Sequence, residues 1–301
     1  MSDRYIYHVP KEDHLVGLLH QRQNLFSLLM EAKYLNRIAI IPPLHLNGKH
    51  NNGKSIRCTW DRYIVLEKLK SFNSYVNLSD FGHIDIENCK LVDENTKPSD
   101  IINDDNSLIV RKHRKYPNYY KLISFFSHNN WENKLIYLFQ PSKQVSKYSI
   151  LAIMKMKIYH CIHVRRGDKL NLKECPGVNK KTQPEYLKKY LLKYISKGEN
   201  LYVMSNEKEL NYFKPLENIF NLFTFQDFTE FVTLSHEDNY LLFSVENEIM
   251  QHAKTKIKTF KEQGYLSLLQ YPSTGKKSYK SKIRRKLYSL LKPIKSTLIL
   301  Y

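Results

Sequence analysis

The stretch from Val145 to Lys169, VSKYSILAIMKMKIYHCIHVRRGDK, decides the fold. Its first half, through Lys157, spaces apolar residues among lysines and serines and predicts an amphipathic helix. Its second half, IYHCIHV, predicts a buried strand that runs into a polar turn with two arginines. A helix that delivers the chain into a buried strand is the repeating step of a parallel α/β sheet. Ligands of such sheets bind at the carboxyl ends of strands, where His163-Val164-Arg165-Arg166-Gly167-Asp168-Lys169 lies.

Downstream the alternation continues. PEYLKKYLLKYIS predicts a helix, NLYVMS a strand, EKELNYFKPLE a helix, LFTFQDF a strand with a turn, and SVENEIMQHA a further helix. Upstream, QPSK near Gln140 punctuates the chain, and an earlier α/β unit opens with RYIYHVP as a strand. A helix from Leu15 to Lys33 follows, with Leu18, Arg22, Leu25, Leu29 and Ala32 three or four apart, and RIAIIPP is a strand closed by Pro42 and Pro43. Between Asn47 and Asn130 the pattern yields two polar loops and a helix over about Asp61–Phe72. The expected organisation is α/β with two Rossmann-like domains, 1–140 and 141–274, and a basic tail, 275–301.

The chain has 301 residues, 42% of them hydrophobic, enough for two cores of ordinary size. No stretch reaches the length of a spanning helix and the start has no signal-like apolar block, so the expected location is cytoplasmic. Cys58, Cys89, Cys161 and Cys175 show neither metal-ligand pairing nor a disulfide framework and are expected to be reduced and mostly buried. The formal charge of +19 calls for an anionic partner. Nine of the basic residues follow Glu262 with no acid among them, which leaves about +10 for the globular part.

Arginines that leave a strand side by side point to different sides, so one can enter a pocket while Asp168 or the surroundings hold the other. A guanidinium grips phosphate with paired, charge-assisted hydrogen bonds. On position alone, a surface ion-pair turn of Arg165, Arg166 and Asp168 has equal weight, and His163 alone reads as a core imidazole.

HVRRGDK resembles the His-x-Arg-Arg-x-Asp signature of the fucosyltransferases that use GDP-fucose, a group comprising α1,2- and α1,6-fucosyltransferases and protein O-fucosyltransferases. Three further segments resemble that family in the same order. Gly17-Leu18-Leu19-His20-Gln21-Arg22 is similar to its amino-terminal Gly-Leu/Phe-Asn-Asn-Gln-Arg loop. LYVMSNEKELNYFKPL, from Leu201 to Leu216, is similar to its strand, Thr-Asp-Glu turn and helix. Glu246 to Leu269 is similar to its last motif, with Thr259, Gly264 and Ser267 in the matching places. Leu19 and His20 replace two asparagines, and Ser205 and Asn206 replace Thr and Asp.

The resemblance implies a glycosyltransferase-B fold, with two Rossmann-like domains facing a cleft, and an inverting transfer of fucose from GDP-fucose to a protein or glycan hydroxyl. It implies that Arg165 holds the β-phosphate, that His163 helps to seat the nucleotide, and that Thr259 and Ser267 offer hydroxyls to the diphosphate. Arg166, Asp168, His20, Gln21, Arg22 and, on the guanine side, Asp238 complete the implied donor contacts. The family needs no metal, and neither His-Glu-x-x-His nor Asp-x-Asp occurs here. Glu174 lies close to the place of a catalytic glutamate in the α1,6 enzymes, with Glu12, Asp13 and His20 as competing bases.

Two other readings stay open: the same fold with another nucleotide sugar, and a basic nucleic-acid-binding protein suggested by +19 and twenty-two tyrosines. The second lacks every recognised binding signature. The tail repeats Ile283, Leu287, Leu290, Leu291, Ile294 and Leu298 among basic residues, which suits either packing on the body or peripheral contact with anionic membrane.

Overall fold

The computed structural model describes residues 3–9, 17–85, 87–112, 122, 125–126, 131–167, 170, 177–207, 209–259 and 297–299. Contacts divide the chain into two compact units. One comprises the chain up to Ser146 together with His236–Ser244, and the other comprises Lys147–Ser235 and the chain from Val245, apart from a short stretch within 260–296. Nothing in the local sequence marks the return of His236–Ser244 to the first unit.

The first unit runs β1 (Tyr5–Val9), α1 (Leu18–Tyr34), β2 (Ile38–Ile41), β3 (Leu44–Leu46), β4 (Ile56–Cys58), β5 (Tyr75–Asn77), α2 (Leu78–Phe81), β6 (Lys90–Asp93), β7 (Leu108–Lys112) and α3 (Trp131–Leu138), and ends within α4 (Lys143–Met156). Its sheet has the order β5-β2-β1-β7-β6 with every pair parallel, and β3 and β4 form a separate antiparallel hairpin.

The first crossover helix, α1, contains no Gly, Pro or β-branched residue to weaken it. Every residue from Leu25 to Ala32 is buried, so the helix is enclosed rather than laid on a surface. It stops at Asn36, whose positive φ of 51° reverses the chain while the Arg37 N–H donates to the Ala32 carbonyl at 2.8 Å. Arg37 then donates to the carbonyls of Asn106 at 2.7 Å and Asp104 at 2.6 Å, which fixes the approach to β7 against the start of β2.

The helix expected over Asp61–Phe72 is instead two 3-10 segments, Trp60–Arg62 and Leu66–Ser71. The cause is a tertiary contact between them. Ile64 forms a bridge with Pro141, and the Val65 N–H donates to the Gln140 carbonyl at 3.0 Å, which removes that residue from helical bonding.

The second unit contains β8 (Tyr159–Val164), α5 (Val178–Lys181), α6 (Pro184–Leu191), β9 (Asn200–Ser205), β10 (Asn221–Phe223), α7 (Thr229–Glu237), α8 (Asn239–His252), β11 (Lys256–Lys258) and β12 (Thr297–Ile299). Helices α7 and α8 carry the segment that belongs with the first unit. The sheet order is β10-β9-β8-β11-β12, again wholly parallel. The expected helix in EKELNYFKPLE is a 3-10 segment, Leu210–Leu216, because Pro215 lacks the N–H that a continuing α-helix requires.

The two faces of this sheet differ in chemistry. Ile162, Val164, Leu201, Val203 and Ile257 project to one side, where Leu187 and Leu191 of α6 and Phe213 close an apolar core. Each such side chain contributes roughly 1.5–3 kcal/mol by leaving water. The register pairs Cys161 with Tyr202 and Lys256, and His163 with Lys258, so these alternate residues share the other face. That face is buried too. Tyr202 donates there to Glu246 of α8 at 2.9 Å, and Tyr159 to the Ile249 carbonyl at 2.6 Å. Among the three described cysteines only Cys161 is buried; Cys58 and Cys89 are half-exposed, contrary to the expectation for thiols.

Candidate functional site

Strand β8 delivers His163 and Val164 to its carboxyl end, and the chain leaves it through Arg165, Arg166 and Gly167. Thr259, just after β11, joins the two strand ends. Its N–H and its hydroxyl donate to the His163 carbonyl at 3.1 and 3.2 Å, and its Oγ1 accepts from the Arg165 N–H at 3.2 Å. The hydroxyl that the resemblance implies for the diphosphate thus has a positioning task as well.

The adjacent arginines have different surroundings. Arg166 is buried: its Nε donates to Glu207 Oε2 at 2.8 Å, its Nη1 to Thr182 Oγ1 at 2.7 Å and its Nη2 to Asn179 Oδ1 at 3.3 Å. The guanidinium lies 4.2 Å from the Tyr212 ring centre, and the backbone N–H donates to Asn206 Oδ1 at 2.8 Å. Arg166, named among the donor contacts, is therefore a member of a protein network that holds the turn. Arg165 is only half-buried and leaves the strand beside Thr259.

The turn after β9 completes the support. Ser205 Oγ donates to the Val164 carbonyl at 2.7 Å and accepts from the Glu207 N–H at 3.0 Å, so Ser205-Asn206-Glu207 braces the arginine turn through side chains and backbone together. Gly167 lies close to the same turn, since a Cβ there would stand 2.6 Å from Asn206 Nδ2 and would displace that side chain.

His163 is buried, and burial, then the charges of Lys258 and Arg165, hold its pKa well below the usual imidazole value, so the ring is neutral at physiological pH. Lys258 was not singled out in the sequence, although the alternation Lys256-Ile257-Lys258 was the available signal. Below it on the same face, burial pushes the Glu246 carboxyl up to about 8, against the lowering effect of the Tyr202 hydrogen bond. Burial, then Glu246, likewise pushes the Cys161 thiol well up, which makes it a poor nucleophile.

The other expected contacts fall in the first unit. Gln21 exchanges two hydrogen bonds with the backbone of His45, anchoring α1 to the β3 hairpin. Arg22 lies 5.3 Å from the Phe139 ring centre, and His20 is half-buried in the first turn of α1. Asp238, expected on the guanine side, is buried in a first-unit network. It accepts from Arg62 Nε at 2.6 Å, from the Tyr63 hydroxyl at 3.2 Å and from the Leu241 N–H at 2.9 Å, which caps α8. Burial and then the Asp238 charge push the Tyr63 hydroxyl far above its usual pKa, so it remains a donor.

His163, Arg165, Arg166 and Thr259 are thus brought together in the second unit. Glu12, Asp13, Asp168, Glu174, Gly264 and Ser267 lie outside the described residues. Among the described residues, no three or more His, Cys, Asp or Glu side chains converge as a metal site would require.

No family model matches the chain, and no curated protein does. Solved structures do. POFUT1 in complex with GDP-fucose is 11% identical, with a TM-score of 0.55, over 100% of this chain and 98% of that one. POFUT1 in complex with GDP gives 0.56 at 11% identity, over 100% and 99%. NodZ α-1,6-fucosyltransferase co-crystallized with GDP gives 0.53 at 8% identity, over 89% of this chain and 92% of that one. With two units built on wholly parallel sheets and matched over most of its length, the chain has a glycosyltransferase-B fold like that of these structures.

Proposed function

We propose that the chain is an inverting fucosyltransferase that takes fucose from GDP-fucose and delivers it to a protein or glycan hydroxyl without a metal. The observation that carries this reading is the end of β8, where half-buried Arg165 leaves the strand beside Thr259 and the neutral His163, on a turn that Arg166 braces through Glu207 and Thr182. Arg165 would take the β-phosphate with paired hydrogen bonds and stabilise the charge that grows on the leaving diphosphate. Lys258 and Arg165 together would supply the positive field. Neutral His163 can donate to the nucleotide without adding charge. POFUT1 structures hold GDP-fucose and GDP, which supports the choice of donor. Glu174 is the proposed general base, and the protein is proposed to work in the cytoplasm.

Leu19 and His20, in place of the family's two asparagines, favour one second reading, the same fold with a different nucleotide sugar. A thermal-shift series with GDP, UDP, ADP and their sugar conjugates decides between them. A ligand at about 100 times its Kd stabilises by roughly 2.7 kcal/mol. Stabilisation by guanine nucleotides alone supports GDP-fucose, and a larger shift with UDP or ADP sinks it. Release of GDP from GDP-fucose then separates an enzyme from a binding protein.

A further inference from the structure

Helix α4 buries Val145, Ser149, Ala152 and Met156, a set spaced by four, three and four residues that marks one continuous inward face. On the opposite side stand Ile150 at 51%, Leu151 at 46% and Met154 at 71% exposure, and Ile158 follows at 71% just past the helix end. These four are among the eleven exposed large apolar residues described, so the stripe is a concentration and not the usual scatter. The turn beneath it is fixed. Lys157 adopts a positive φ of 57°, and Asn200 Nδ2 donates to the Met156 and Ile158 carbonyls at 2.7 and 3.2 Å, so Ile158 is held outward on a braced backbone.

The helix itself brings only basic charge to the border of the stripe, with Asp227 on the Lys155 flank. No Asp or Glu occurs between Glu132 and Asp168, while Lys147 and Lys157 are exposed alongside the apolar residues. Lys155 on the flank has a local task, donating to the Asp227 carbonyl at 2.8 Å and lying 4.8 Å from the Phe228 ring centre. We propose that this face of α4 docks the protein on an anionic lipid bilayer, with Ile150, Leu151, Met154 and Ile158 entering the headgroup region and Lys147 and Lys157 reaching lipid phosphates.

The border charge selects the occupant. The chain's own carboxyl-terminal segment carries nine basic residues and no acid after Glu262, so it would meet like charge at Lys147 and Lys157. A second copy docked through the same face would bring its own lysines against them. An anionic bilayer satisfies both components, since it takes apolar side chains at its surface and attracts lysines whose stems lie along the apolar stripe.

The test is flotation of the full-length protein with phosphatidylcholine vesicles, with and without phosphatidylserine, at low and high salt. The unmodified chain and two variants, Met154→Ser/Ile158→Ser and Lys147→Gln/Lys157→Gln, are compared, with circular dichroism as a check on folding. The proposal expects salt-sensitive flotation with phosphatidylserine, a partition coefficient about tenfold lower in the apolar variant, and a smaller loss in the lysine variant. A Met154→Trp protein should also be quenched by brominated lipid. Equal flotation of the unmodified chain and the apolar variant overturns the proposal and moves any membrane contact elsewhere, the tail included. Absence of flotation, or a self-association in ultracentrifugation that the apolar variant abolishes, also overturns it.

Discussion

Each sheet places a histidine near the carboxyl end of its central strand, in register with a cation on the neighbouring parallel strand: His8 with Arg111 in the first unit, His163 with Lys258 in the second. The outcomes differ. In the first unit Glu31 of α1 fills the space between, 2.7 Å from His8 Nε2 and 2.8 Å from Arg111 Nε, with all three side chains fully buried. Burial pushes the Glu31 carboxyl up, but the His8 hydrogen bond and the Arg111 charge outweigh it and hold its pKa below the ordinary value. In the second unit burial, then the charges of Lys258 and Arg165, lower the His163 pKa. In the first sheet the histidine and the cation share a buried carboxylate, and in the second the histidine is held neutral beside Lys258 and Arg165.

The largest expected effect breaks the neutralised triad. Glu31→Gln leaves buried Arg111 and His8 without their carboxylate and should cost about 3–5 kcal/mol in urea unfolding. A cost under about 1 kcal/mol would falsify the view that this edge is held by charge balance.

The arginine pair sharpens the contrast next. Arg165→Lys should lower the initial transfer rate by roughly a hundredfold or more at an unchanged melting temperature, because an ammonium cannot reproduce paired hydrogen bonds. Arg166→Lys should do the reverse, losing the bonds to Thr182 and Asn179 and costing about 1–3 kcal/mol of stability. Interchange of these two phenotypes would overturn the assignment of roles.

Sequence periodicity was sufficient where apolar patterns were uninterrupted, as in IYHCIHV, NLYVMS and the amphipathic α4, all of which form the expected elements. It failed where charged side chains are buried. LIVRK carries fully buried Arg111 just before its exposed last residue, Lys112, and Lys256-Ile257-Lys258 is buried throughout, so a rule that treats Lys and Arg as solvent markers misses β7 and β11. Ring and backbone constraints were misread for a different reason. Pro215 and the Ile64–Pro141 bridge convert expected helices into 3-10 segments, and the second depends on a partner far along the chain. Within the site, HVRRGDK was visible as a motif, but the partners of Arg166 were not. Glu207 lies 41 residues from Arg166, and no local spacing reports that contact.

A smaller effect concerns Glu246. Its folded pKa of about 8 lies above the reference value of 4.5, so the folded state binds the extra proton. The associated stability is full below about 4.5 and is lost as pH rises through about 8. Glu246→Gln should flatten the decline in melting temperature between about pH 4.5 and 8, the window between the two values. An unchanged decline would assign it to other groups.

The smallest expected effect tests the cationic field itself. After burial, Lys258 is the next cause of the depressed His163 pKa, ahead of Arg165, and the register places Lys258 directly beside it. Lys258→Met keeps most of the apolar stem and removes the charge, so the His163 pKa should rise toward, but not reach, 6.5, because burial remains. A histidine depressed in the folded state contributes stability that is present above its unfolded pKa and lost as pH falls below it. The variant should therefore lose less melting temperature than the parent on acidification below about 6.5, and GDP binding by calorimetry should weaken as the field is reduced. NMR titration of the imidazole gives the pKa directly. A His163 pKa that does not move, together with unchanged GDP affinity, would show that Lys258 sets neither the protonation of the ring nor the binding of the nucleotide.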